Sequence, residues 1–147
     1  MLYNTDMNKR PPASLHALLQ TAGMAQAHVE AELDRLGLSM AKLLALSAIA
    51  DAGESLPLGQ LAERLSCVKS NITQLVDRLE ADGLVARHSA PGDRRTRLAA
   101  MTEAGRKAWK AGTRIQQQAE RALFNGLTAK EVRQLELLMG KIGRQPK

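Results

Sequence analysis

The chain has 147 residues, 44% of them hydrophobic, with one Trp, one Tyr and one Phe; this is too apolar for a disordered segment and long enough to bury a core without staples. Its one cysteine, Cys67, excludes an intrachain disulfide framework and points to a reducing compartment. The formal charge of +6 favours a polyanionic partner, and it is unevenly placed: residues 1–62 carry four basic and six acidic groups, residues 105–147 ten basic and three acidic ones.

Residues 1–12 end in Lys9-Arg10-Pro11-Pro12 and are expected to form a mobile arm. No charged start leads into an apolar run, so no signal peptide is expected. From Ala13 the apolar residues Leu15, Leu18, Leu19, Ala22, Val29, Leu33 and Leu36 recur in three- and four-residue steps up to Gly37, which predicts a helix with a glycine stop. Ser39 then offers an N-cap for a second helix reaching about Ala52, with Leu43, Leu46 and Ile49 inward. The longest apolar stretch, residues 43–50, is broken by Ser47 and is far too short to span a bilayer. A cytoplasmic protein without a membrane partner is expected.

Two short helices follow at 59–65 and 69–82. The first buries Leu61, Ala62 and Leu65; the second buries Ile72, Leu75, Val76 and Leu79. The turn Ser66-Cys67-Val68 has the length of a helix-turn-helix connection. Residues 84–89 and 96–101 read as two strands joined by a loop over 90–95 that contains Pro91-Gly92, a hairpin signal. Thr102 starts a helix to about Phe124. Thr128 and Glu131 then form a capping box before a last helix whose face carries Val132, Leu135, Leu138, Met139 and Ile142.

The fold class predicted is mainly α with a small β-wing: a winged helix-turn-helix core between N- and C-terminal dimerisation helices. The expected organisation is an arm (1–12), a dimerisation helix (13–36), the DNA-binding domain (37–101) and further dimerisation helices (102–147). The outer helices carry more apolar surface than the small centre can cover, which argues for a second copy of the chain.

On the helix 69–82, inward Ile72, Leu75, Val76 and Leu79 leave Lys69, Ser70, Asn71, Thr73, Gln74 and Arg78 facing out. Amide, hydroxyl and amine groups of this kind can meet base edges in a major groove, while Asp77, Glu80 and Asp82 crowd the other end. The hairpin adds Arg87, Arg94, Arg95 and Arg97 against Asp93. An arginine-tipped wing suits a narrow minor groove, and Asp93 is expected to hold one arginine through a bidentate pair. Double-stranded DNA is therefore the expected partner.

The runs Leu61-Ala62-Glu63-Arg64-Leu65, residues 72–85, Pro91-Gly92-Asp93-Arg94-Arg95 and Met101-Thr102-Glu103-Ala104-Gly105-Arg106 together resemble the signature of the MarR family. The resemblance covers residues 36–106. It implies a triangular homodimer with helix 69–82 in the major groove and Asp93-Arg94-Arg95 at the wing tip. It further implies a repressor on pseudo-palindromic operators that a small aromatic or phenolic acid releases. Gln74 stands where the family often has Arg, and Val68 where it often has Ser or Thr. An effector pocket in the family position would be lined by Met24, His28, Met40 and Trp109.

The contrasting readings are weaker. Cys67 near a helix start is a candidate redox switch, though free cysteines are more often buried. His16, His28 and His88 are too scattered for a metal site, and no cofactor is expected. No phosphate loop, nucleophile elbow or ligand cluster marks an enzyme. A winged helix used for protein contacts is the remaining alternative.

Overall fold

The computed structural model describes residues 13–65 and 71–143. The predicted arm at residues 1–12 lies outside them. The order is α1 (Ala13–Asp34), α2 (Met40–Asp51), β1 (Ser55–Pro57), α3 (Leu58–Arg64), α4 (Ile72–Ala81), β2 (Val85–Ala90), β3 (Asp93–Met101), α5 (Glu103–Phe124) and α6 (Ala129–Gly143). The class is that read from the sequence, mainly helical with a small antiparallel sheet.

Local signals act where they were expected. Ser39 caps α2, its Oγ accepting from the Lys42 N–H at 3.2 Å, and Glu30 of α1 accepts the Met40 N–H at 3.1 Å. Two of the donors that a helix start leaves orphaned are thus satisfied, one of them across the α1–α2 contact. Thr102 caps α5 through the Gly105 N–H at 3.0 Å and donates its own hydroxyl to the Gly83 carbonyl at 2.6 Å. The capping box of α6 closes both ways, Thr128 N–H to Glu131 Oε2 at 2.8 Å and Glu131 N–H to Thr128 Oγ1 at 3.2 Å.

The sheet has three strands, in the order β1-β3-β2, all antiparallel. Strand β1 was not expected from the sequence. It is three residues long, ends in proline, and pairs Leu56 with Ala99, so nothing local announces it. The hairpin is also tighter than the expected loop over 90–95. Only Pro91-Gly92 turns the chain, Gly92 at φ +76°, a left-handed value that a side chain would resist. Ala90 pairs with Asp93 and Ser89 with Arg97, so residues 94–96 bulge out of register. The first helix ends at Asp34, two residues before the predicted end, and Leu36 stays exposed. Helix α3 starts at Leu58, one residue early, behind Pro57, which offers no side-chain cap.

The core lies where α1, α2, α3 and α4 meet the sheet. Leu33, Leu43, Leu46, Ile49, Leu61 and Leu79 are fully buried, each contributing about 1.5–3 kcal/mol of apolar transfer. Ala62, Ile72 and Leu75, read as core, are only half-buried. Helix α5 lies against α1 and α2, and its Gly105, Gly112 and Ala119 are buried. A Cβ on Gly105 would run into the Leu84 carbonyl, so this approach of α5 to the residue before β2 requires glycine. No helix among the described residues is long and apolar enough to cross a membrane.

Candidate nucleic-acid interface

Helix α4 carries its apolar residues on one side, with Val76 and Leu79 buried. Asn71, Thr73, Gln74 and Arg78 are exposed together on the other. Lys69 and Ser70, assigned to the same face from the sequence, lie outside the described residues, as does Cys67. Asn71 stands at the N-cap position but makes no side-chain cap bond to α4.

The acidic end of α4 is not bare. Arg87 of β2 reaches back to it: Nη2 lies 2.7 Å from Asp77 Oδ1 and 3.0 Å from Glu80 Oε1. The Arg87 N–H also donates to Glu80 Oε2 at 3.0 Å. The guanidinium holds the Glu80 carboxyl below the usual glutamate range, and the two acids raise Arg87 in turn. Asp82 at the C-cap meets Lys42 of α2 at 2.7 Å. The carboxylates that would repel phosphate are therefore paired within the fold. Arg87, read from the sequence as a wing contact, turns toward α4 because it shares a strand face with buried Val85.

At the wing, Arg94, Arg95 and Arg97 are exposed, and none forms an ion pair among the described residues. Asp93 does not grip a guanidinium as expected. Its carboxylate accepts the Arg95 backbone N–H at 2.9 Å and the Thr96 hydroxyl at 2.7 Å. These bonds lower its pKa, the Thr96 hydroxyl first, and they hold the bulge that presents Arg94 and Arg95.

The expected pocket residues do not converge. A groove of ≈ 800 Å³ opens between α1, α2 and α5, lined by Val29, Glu30, Met40, Leu44, Glu120 and Phe124 among others. Of the four residues named from the sequence only Met40 lines it. Met24 is 69% exposed, His28 is exposed, and Trp109 donates its indole N–H to Ser47 Oγ at 3.2 Å in the α5–α2 contact. Sequence reasoning missed Lys42, Glu54 and Arg106. Arg106 Nε donates to Glu54 Oε1 at 2.7 Å and ties α5 to the turn before β1. Their partners are 40 and 52 residues away along the chain, so no local pattern marks them. No group of three or more His, Cys, Asp or Glu suited to a metal ion occurs among the described residues.

Residues 36–96 match the MarR family profile. A mutant MarR from E. coli, solved with operator DNA, superposes at a TM-score of 0.78 with 25% identity, over 88% of this chain and 92% of that one. The family match and the shared fold both place the chain beside MarR regulators. Among curated transcriptional regulators, the transcriptional activatory protein BadR of Rhodopseudomonas palustris is 33% identical over 94 residues, 63% of this chain and 54% of BadR. The chain spans about half the length of the curated relatives it matches. Sco3205, a MarR family regulator from Streptomyces coelicolor solved in complex with DNA, shares the fold at a TM-score of 0.79, with 24% identity over 92% of this chain and 88% of that one.

Proposed function

We propose that this chain is a homodimeric transcription regulator of the MarR type that binds pseudo-palindromic operator DNA. The carrying observation is one lobe that exposes Asn71, Thr73, Gln74 and Arg78 on α4 and Arg94, Arg95 and Arg97 at the wing. The three wing arginines are without an ion pair among the described residues, while Asp77 and Glu80 of α4 and Asp82 at its C-cap are paired within the fold. Asn and Gln amides suit adenine edges and the Thr73 methyl suits thymine. Lys69 and Ser70 extend this reading face in sequence. Arg94 and Arg95 suit the narrow minor groove. No catalytic role is proposed for any residue.

Dimerisation is proposed through the outer helices. Leu15, Leu19, Leu137, Leu138 and Ile142 are each at least 47% exposed, an apolar surface that one copy leaves uncovered. A dimer places two equivalent lobes across a two-fold axis, which matches a palindromic duplex. Occupying an operator represses by occlusion; the name of BadR attaches activation to a related lobe. The α1–α2–α5 groove is the proposed effector site. Its lining includes Glu30 and Glu120 and no Lys or Arg, which favours an uncharged or cationic ligand over an aromatic acid. A regulator of this kind works in the cytoplasm, where the chromosome is.

The test is fluorescence anisotropy with a duplex selected by the protein from a random pool, beside a scrambled duplex, at two salt concentrations. The expected result is tighter binding to the selected duplex, weakening steeply with salt. Absence of binding at low salt would sink the reading and leave a winged helix used for protein contacts.

A further inference from the structure

Helix α4 and the wing are separate elements, yet one side chain ties them. Asp77 and Glu80 stand three residues apart and so share one face of α4. Arg87 lies on the β2 face that turns toward that helix. Its Nη2 is shared between Asp77 at 2.7 Å and Glu80 at 3.0 Å, its Nε faces Glu80 Oε2 at 3.4 Å, and its backbone N–H donates to the same oxygen at 3.0 Å. The side chain is 27% exposed. One arginine thus makes four contacts with two carboxylates, in a fork geometry that a lysine cannot reproduce.

We infer that Arg87 is a positioning residue that locks the wing hairpin to α4, so that helix and wing meet the duplex as one rigid body. Its functional consequence rests on the proposed DNA binding; the lock itself is a property of the free protein. The charge balance supports positioning rather than phosphate contact. Arg87 with Asp77 and Glu80 sums to −1, and moving the guanidinium to a phosphate would leave two carboxylates unpaired beside DNA. Exposed ion pairs contribute little to stability. A lock that removes freedom between two contacts acts instead on binding, because the ordering cost is met before the duplex arrives.

The experiment compares wild type, Arg87→Ala, Arg87→Lys and the double variant D77N/E80Q. Amide hydrogen exchange is read on the free proteins, and binding to the selected duplex is titrated with salt. Exchange in β2 and the hairpin is expected to rise in all three variants while the α2 core stays as in wild type, which also reports that each variant is folded. The double variant is expected to bind about tenfold more weakly with an unchanged salt slope. Simple electrostatics predicts the opposite, since two negative charges have been removed near phosphate. Unchanged or tighter binding by the double variant overturns the inference. So does a salt slope reduced by about 0.9 in Arg87→Ala and restored by Arg87→Lys, the signature of a phosphate contact. If wild type retains no duplex, the DNA-binding reading fails by itself, and exchange still judges the lock: unchanged exchange in Arg87→Ala removes it.

Discussion

The lobe built from α2, α3, α4 and the sheet differs from the outer helices in how it uses the same residue. Leu43, Leu46, Leu61 and Leu79 in the lobe are at most 1% exposed. Leu15 and Leu19 on α1 and Leu137 and Leu138 on α6 are 62%, 62%, 69% and 47% exposed. Leu43 and Leu46 in the lobe and Leu15, Leu19 and Leu138 outside it all belong to apolar faces with helical spacing, and both regions would be read as buried faces from sequence. Periodicity therefore specifies that a face is apolar, and not which molecule covers it.

The largest effect is expected inside the lobe. Leu46→Ala should cost about 2–5 kcal/mol in chemical denaturation, through lost transfer energy plus a cavity. Leu19→Ala should change the stability of a dilute, monomeric sample by less than about 0.5 kcal/mol. Equal losses in the two variants would erase the distinction between the regions.

The next effect belongs to the outer helices. Ile142→Lys should weaken self-association by about 1.5–3 kcal/mol per protomer, the worth of an apolar side chain buried between copies. A symmetric contact counts it twice. Sedimentation across a concentration series reads this directly; an unchanged dissociation constant would take α6 out of the interface.

The junction between the regions comes third. Gly105→Ala forces a methyl group against the Leu84 carbonyl and should cost about 1–3 kcal/mol, seen as a lower melting temperature. Wild-type stability there would mean that α5 can shift away from Leu84 without loss.

The smallest effect is expected from the Glu54–Arg106 pair at the same junction. Arg106 holds the Glu54 carboxyl below its usual range, mainly by hydrogen bonding to it. A depressed folded-state value stabilises the fold above the ordinary glutamate pKa, about 4.3. That contribution is lost as the pH falls through the lowered value. Both groups are well exposed, so the shift should be slight and should shrink in salt. In Glu54→Gln the melting temperature should fall less steeply on acidification than in wild type; parallel curves would remove the pair from the pH response.

Much of the fold was legible because its signals are local. Ser39 capping α2, the Thr128–Glu131 box, the Pro91-Gly92 turn and the inward set Val76 and Leu79 each involve residues within a few positions of one another. The candidate site was legible only as a list of polar side chains. That Asp93 binds backbone and Thr96 rather than a guanidinium depends on the bulge at 94–96, and the bulge depends on strand register. Met24 and His28, expected at an effector pocket, do not line the α1–α2–α5 groove, because spacing along α1 does not say which side of the helix α5 will occupy.

The amino-acid sequence by itself determined the helix faces, their caps, the turn of the wing and the basic balance, all of which arise from interactions between chain neighbours. Only the tertiary structure decided the pairing of β1 with β3, the capture of Arg87 by Asp77 and Glu80, and which leucines the chain covers for itself. These join residues up to 45 positions apart in sequence, Ser55 and Ala100, and their geometry exists only once the topology has closed the loops between them.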